Sequence, residues 1–270
     1  MTRALLALSL LVVLVGLPAG SPSAAIDPEL DTPQWRELRA TLFGTRPIRE
    51  DAEAVIQLEV PVRPDSGALV PVRVRARQPQ SPARFVKRIA VVIDRNPEPL
   101  AALFHLTPES GQADLTTYMR VETHSPLRAV AELSDGTLFM AATLVKASGG
   151  CAAPPVQLTL PPDHGQVRLT TQERVALNEP NWARIMVTHP NHTGLQSNPV
   201  TRHPISAHYV TRVTVTLDGR PVLVAETTIA SSEDPSFRFY FTPTRPGELR
   251  AEVKDSRGAT FRNSLAVTPN

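Results

Sequence analysis

The chain has 270 residues, with 28 Lys and Arg against 26 Asp and Glu and a formal net charge of +2. Charges so evenly matched and interspersed, with no basic run and no aromatic interleaving, exclude a nucleic-acid or polyanion partner. Hydrophobic residues at 41% can bury a core, whereas 27 prolines against 13 glycines exclude long helices and favour short strands with many turns.

Met1-Thr2-Arg3 supplies a positive start, Ala4 to Leu17 is apolar, and Ser23-Ala24-Ala25 offers small residues for a peptidase. This is the pattern of a signal peptide, with cleavage after Ala25 and export expected; in a bacterium the mature protein is expected in the periplasm. The apolar run is shorter than the about 20 residues a membrane span needs, so no membrane insertion is expected. The remaining length fits two small domains, at a prior of roughly 150 residues each.

One short helix is predicted near the mature N-terminus. Thr32 can cap it, Pro33 fits its first position, Trp35, Leu38 and Leu42 share a face, and Gly44 can end it. Its expected role is to pack on the first domain. Beyond Glu50 the period changes to that of strands: Val55 to Val60, Leu69 to Arg75, Arg88 to Ile93, Leu100 to Leu106, Leu115 to Glu122, Arg128 to Leu133 and Leu138 to Lys146. Asp135-Gly136 is a tight hairpin signal between the last two. Seven short strands with a turn roughly every ten residues predict an immunoglobulin-like sandwich.

A second set follows at Arg184 to Val187, His208 to Leu217, Val222 to Ile229, Phe237 to Phe241 and Glu248 to Lys254, with hairpin turns at Asp218-Gly219 and Arg257-Gly258. The reading is all-β: two immunoglobulin-like β-sandwich domains in tandem with a short N-terminal helix after a signal peptide. Its boundaries are 1–25 for the leader, 26–147 for the first sandwich with its helix, 148–180 for a linker, and 181–270 for the second sandwich. Between Ala147 and Asp163 only Val156 to Leu160 could form a strand.

That linker carries Cys151, the only cysteine, in Ser148-Gly149-Gly150-Cys151-Ala152-Ala153-Pro154-Pro155. Exported chains normally pair their cysteines, so a single one implies an intermolecular partner or a free reactive thiol. Burial as a small hydrophobe is the alternative, and the flanking glycines argue against it. A disulfide-linked dimer through Cys151 is a further reading.

Other candidates carry less. His189 and His192 stand at ligand-like spacing with His203 and His208 nearby, but no cysteine or carboxylate signature accompanies them. Structural roles are expected, with His189 and His208 at the interface between the sandwiches, and neither a metal nor a cofactor-binding site is assigned. Asn191-His192-Thr193 matches a glycosylation acceptor, a reading that requires a eukaryotic source and is set aside. Arg73, Arg75 and Arg77 form a basic strand face expected to be solvated. Asp94, Glu98 and Asp114 show no paired-acid arrangement, and no phosphate loop, dinucleotide fingerprint or serine nucleophile elbow is present.

Taken in order, a set of short motifs resembles a known pair of proteins. Ser66-Gly67-Ala68-Leu69-Val70-Pro71-Val72, Asn96-Pro97-Glu98-Pro99, Phe104-His105-Leu106-Thr107-Pro108, and Arg128-Ala129-Val130-Ala131-Glu132 leading to Val145-Lys146 and Gly149-Gly150-Cys151 resemble SoxY, the sulfur-carrying subunit of bacterial thiosulfate oxidation. His189-Pro190-Asn191-His192-Thr193-Gly194, Pro204-Ile205-Ser206-Ala207-His208-Tyr209-Val210, Ser232-Glu233-Asp234-Pro235 before Phe237 and Phe239, and Asp255-Ser256-Arg257-Gly258 resemble its partner SoxZ. The resemblance implies a non-enzymatic carrier with no cofactor beyond a covalent sulfur adduct on Cys151. Its implied partners are periplasmic sulfur-oxidising enzymes and c-type cytochromes. Glycines before the cysteine would remove bulk that blocks a partner's narrow active site, and sulfur serves as nucleophile when loading and as leaving group when unloading.

The sequence departs from that family in two ways. Cys151 is followed by Ala152-Ala153-Pro154-Pro155 rather than by further glycines, and then by a whole domain rather than a chain end. A loop tethered at both ends, with about five free residues on each side, projects at most roughly 15 Å. Fused chains of this kind resemble carriers associated with quinoprotein dehydrogenases. That implies an alternative function: an accessory or docking factor for a periplasmic quinoprotein (pyrroloquinoline quinone) alcohol dehydrogenase or its cytochrome, with no covalent cargo.

Overall fold

The structure, a computed structural model, describes residues 28–50 and 55–269; the leader expected at 1–25 lies outside them. Among the described residues, fifteen strands are distributed between two sheets. In chain order they are β1 (Ile48–Arg49), β2 (Ile56–Glu59), β3 (Val70–Pro79), β4 (Val86–Ile93), β5 (Leu100–Leu106), β6 (Gln112–Met119), β7 (Ser125–Leu133) and β8 (Leu138–Val145) in the first half. The second half contributes β9 (Val167–Thr171), β10 (Asn181–Val187), β11 (Val210–Leu217), β12 (Arg220–Thr227), β13 (Ser236–Phe241), β14 (Gly247–Asp255) and β15 (Thr260–Val267).

The two sandwiches do not merely pack; their sheets are continuous. One sheet runs β1-β8-β7-β4-β5-β12-β11-β14-β15 and the other β2-β3-β6-β13-β10-β9. The first seam is an antiparallel ladder of β5 with β12, from Ala102 opposite Thr227 to Leu106 opposite Leu223. The second is a single pair, Thr116 of β6 with Arg238 of β13. Joining edge to edge satisfies backbone groups that two separate sandwiches would leave open to foreign strands. The inner faces then form one core across both halves. Phe104 on β5 meets Phe237 on β13, ring centroids 6.1 Å apart and nearly edge to face, so the seam is also packed from sheet to sheet.

The N-terminal helix α1 (Pro33–Phe43) forms where its signals placed it. The Thr32 hydroxyl accepts from the Trp35 amide at 3.1 Å, and Gly44 closes the helix at φ +60°. It covers the outer face of the first sheet, burying Trp35 and Phe43 against Ala90, Val92, Val130, Leu138 and Met140. Strand β7 is therefore buried on both faces. Its outward Arg128 is held by Asp94 through two contacts of 2.9 Å, lies 4.6 Å from the Trp35 ring centre, and donates to the Leu30 carbonyl. Thr32 donates to the same Asp94 at 2.6 Å, so the capping residue also fastens the helix to the sheet. A buried pair with its polar atoms this well engaged fixes position, and loss of one partner would strand the other charge.

Two expectations change here. Arg73 is not simply solvated: it clamps buried Asp114 through contacts of 2.9 and 2.7 Å and also reaches Glu59. Val156 to Leu160 forms no strand, whereas Val167–Thr171, inside the stretch read as linker, pairs with β10.

Candidate functional site

Cys151 sits where the two halves meet, and its side chain is 0% exposed. The expected projecting loop is folded down and fastened from both sides. From the first half, Gly149 and Gly150 amides donate to the Glu122 and Val121 carbonyls at 2.6 and 3.1 Å. The Glu122 carboxylate accepts the Cys151 and Ala152 amides at 2.7 and 3.1 Å. The Arg120 guanidinium donates to the Gly150 carbonyl at 3.2 Å. From the second half, the Thr193 hydroxyl donates to the Cys151 carbonyl at 2.7 Å and the Gln196 amide to the Ala153 carbonyl at 2.8 Å. Further along, Glu233 accepts the Val156 amide at 3.3 Å.

The glycines serve this closed arrangement. A Cβ on Gly150 would overlap the Gly67 carbonyl and lie 2.6 Å from that of Val121, and one on Gly67 would lie 2.7 Å from the Ser148 carbonyl. Both residues let two backbones touch, which no side chain permits. Gly149 faces open space and is needed for its φ of +67°.

Burial dominates the electrostatics. It pushes the Cys151 thiol up to about 12, the nearby Glu122 carboxylate pushes the same way, and the Arg120 guanidinium opposes them. Arg120 is itself 3% exposed, its pKa lowered by burial against the attraction of Cys151 and Glu233. Its Nε is buried without a hydrogen-bond partner. A cation with an unused donor beside a thiol suits a negative charge on that sulfur, whether thiolate or anionic adduct.

Motifs dispersed along the sequence converge on this loop. Asn96 accepts the Glu122 amide at 2.9 Å and donates to the Arg120 carbonyl at 2.8 Å, which fixes the chain segment carrying both charged side chains. Gly67 packs on Gly150, and Ser232 donates to the Ala68 carbonyl at 2.8 Å, tying the second half to that turn. Sequence reasoning missed Arg120, Glu122, Thr193 and Gln196 as members of the site. The pair Arg120 and Glu122, opposite charges two residues apart where β6 ends, was the one available signal.

The histidines regroup. His192 leaves the expected set, its Nε2 at 3.2 Å from the Gln157 carbonyl, and His203 is exposed. His164, from the far end of the connector, and Asp255, at the end of β14, join His189 and His208 instead. One nitrogen or oxygen from each of the four lies within 4.8 Å of the others. His189, His208 and Asp255 belong to the second half and His164 to the connector, and none of the four lies on β5 or β12. Burial holds His189 down to about 4, with His208 and His164 adding to the effect, so its ring is neutral at neutral pH.

Comparison with known proteins agrees with the motifs. The family model for "Sulfur oxidation protein SoxY" matches residues 39–151, ending on Cys151 itself, and that for "Sulphur oxidation protein SoxZ" matches residues 167–266. Among solved structures, the sulfur carrier protein SoxY from Chlorobium limicola f thiosulfatophilum is 28% identical over 42% of this chain and 91% of that one, with a TM-score of 0.36. Superoxide reductase (neelaredoxin) from Ignicoccus hospitalis is 17% identical over 35% of this chain and 80% of that one, at a TM-score of 0.32. No match was found among curated proteins. The two family matches are consecutive and together span most of the described residues: this chain carries a SoxY domain and a SoxZ domain in tandem, two sulfur-oxidation protein families joined in one polypeptide.

Proposed function

We propose that the protein is a periplasmic carrier that holds a sulfur-containing intermediate covalently on Cys151 and presents it to separate sulfur-oxidising enzymes and c-type cytochromes. The observation that carries this reading is the convergence of SoxY-type and SoxZ-type motifs on one thiol. The first half supplies the cysteine, Arg120 and Glu122, and the second supplies Thr193, Gln196 and Glu233. On this reading the second domain is needed because it forms half of the compartment around the sulfur.

Loading requires the loop to open, since a buried thiol near pKa 12 is almost wholly protonated at neutral pH and the thiolate is the nucleophile. Once released, Cys151 returns to an ordinary thiol. Attack on a sulfur–sulfur bond then forms the Cys151 disulfide-like bond and expels the leaving thiolate, with no net redox change. Condensation with a second thiol-like sulfur instead releases two electrons and two protons, and a c-type cytochrome partner is the acceptor. After reclosure, Arg120 faces an anionic adduct.

One observation favours the second reading, an accessory or docking factor for a quinoprotein alcohol dehydrogenase or its cytochrome: Cys151 is enclosed and its loop is fastened from both halves. The experiment is intact-mass analysis of protein taken from its host with the pathway running, with and without reductant, beside Cys151→Ser. A reductant-labile sulfur or sulfonate mass absent from the serine variant is the expected result. An unmodified thiol, with dehydrogenase binding retained in Cys151→Ser, would favour the docking factor.

A further inference from the structure

Apart from the thiol, the described residues hold one group of His, Cys, Asp or Glu side chains placed to share an ion, and its hydrogen bonding is unfinished. His164, His189, His208 and Asp255 come from four segments: the end of the connector, the turn after β10, the turn before β11, and the end of β14. The rings of His189 and His208 are 4.5 Å apart, with His164 at 5.0 and 5.4 Å from them. The side chains of His189, His208 and Asp255 are 0%, 4% and 1% exposed. His164 Nδ1, His189 Nε2 and His208 Nδ1 are all buried without a hydrogen-bond partner. Buried polar atoms are ordinarily satisfied, so three orphans in one cluster call for a missing occupant.

The hydrogen bonds that do exist assign the roles. The Asn191 amide donates to His189 Nδ1 at 3.1 Å, so in the neutral ring the proton resides on Nε2. His189 Nε2 is therefore a donor, 3.7 Å from Asp255 Oδ2 and too far to bond it. Asp255 Oδ1 is taken by the Arg257 and Ala259 amides, which leaves Oδ2, 2.8 Å from His208 Nε2, facing the cluster. Imidazoles with one carboxylate are the donor set of borderline divalent ions, and three protein ligands with a water in the fourth position is a recurring zinc arrangement.

We propose that this cluster binds one divalent transition-metal ion of the zinc class, with His164, His208 and Asp255 as ligands and His189 Nε2–H donating to a bound water. Binding through His208 Nε2, beside Asp255 Oδ2, gives His164 Nδ1 and His189 Nε2 partners and staples His164, and with it the end of the cysteine connector, to the second sandwich. The ion joins the end of the connector to the second half, and its binding does not depend on whether Cys151 carries cargo.

The test uses untagged full-length protein in a Cys151→Ser background, so that no thiolate can ligate. Metal is stripped with a chelator and Co²⁺ or Zn²⁺ is added back. The expected result is one equivalent bound per chain, with the visible d–d absorption of low-symmetry Co²⁺, displaced by Zn²⁺. His164→Ala, on a partly exposed turn where folding survives, loses that absorption while its thermal unfolding stays cooperative. Absence of stoichiometric binding by the parent, or a Co²⁺ spectrum that persists unchanged in His164→Ala, overturns the proposal.

Discussion

The thiol compartment and the histidine cluster are joined by the short segment from His189 to Thr193, yet they are built on opposite principles. Around Cys151 backbone and side-chain donors are matched to acceptors, with Arg120 Nε the exception. In the cluster three ring nitrogens are left over. A closed network is stable as it stands and must be opened before it does chemistry, whereas an unfinished one gains by taking a partner. The difference separates the two tests: reactivity probes the first region, and affinity the second.

The largest expected effect is on Cys151 reactivity. Its thiol lies near 12 against an unperturbed 9.0, and each unit is tenfold in thiolate, so folded protein at neutral pH should react with a thiol-selective reagent about a thousandfold more slowly than unfolded chain. The sign follows from linkage. A raised value means the closed loop favours the neutral thiol, so that stabilisation is full below pH 9.0 and is lost as pH rises from there through about 12. Labelling kinetics across that range check it; native labelling as fast as that of unfolded chain would mean the loop is already open.

Next in size is Gly150→Ala, which forces a methyl against the Gly67 and Val121 carbonyls. Overpacking of this kind costs about 1–3 kcal/mol, and because the strain falls on the loop, labelling of Cys151 should accelerate by about fivefold or more. Gly149→Ala meets open space and bears only the penalty of positive φ, about 1 kcal/mol or slightly more. Thermal unfolding and labelling of both variants separate close backbone contact from backbone conformation. Equal effects would show that the Gly67–Gly150 contact does not hold the loop.

These predictions concern parts of the molecule that were unevenly legible. The helix was readable because its cap, first proline and terminal glycine are local, and the central strands because Val and Leu alternate along them. β15 escaped because, as an exposed edge, most of its residues face solvent and no alternation results. β9 was hidden because its alternation rests on two apolar residues only, Val167 and Leu169, with polar residues on either side. Composition and motif single out Cys151 as the candidate for chemistry, but its burial is not legible, since residues 67, 120–122 and 193–196 close over its loop. The glycines beside it were read as clearance for a partner, when two of their functions are internal. The histidine grouping failed for a similar reason: sequence spacing joined His192 and His203, whereas the fold brings in His164 and Asp255.

A smaller effect comes from Glu122→Gln, which keeps the shape and removes the charge. The carboxylate disfavours the thiolate, so its loss should lower the Cys151 pKa, and amides that lose a charged acceptor hold the loop less firmly. Both changes speed labelling at neutral pH, by about tenfold for each pKa unit recovered. The pH profile distinguishes them, because loosening raises the rate at every pH while a charge effect moves the midpoint downward. An unmoved midpoint would assign Glu122 a purely architectural role.

The smallest effect would couple the two regions. His164 lies at the end of the connector that begins beside Cys151, and the β-bridge between His192 and His208 ties the cluster to the Thr193 side of the thiol compartment. An ion that holds His164 in place binds the closed loop better than the open one, so zinc loading should slow Cys151 labelling, by about fivefold at the lower end of site-to-site coupling. The same experiment in His164→Ala should show no dependence on zinc. If zinc binds with one-to-one stoichiometry and labelling is unchanged, the cluster fastens only the second sandwich, and Glu122, Arg120 and Thr193 alone govern the opening of the thiol.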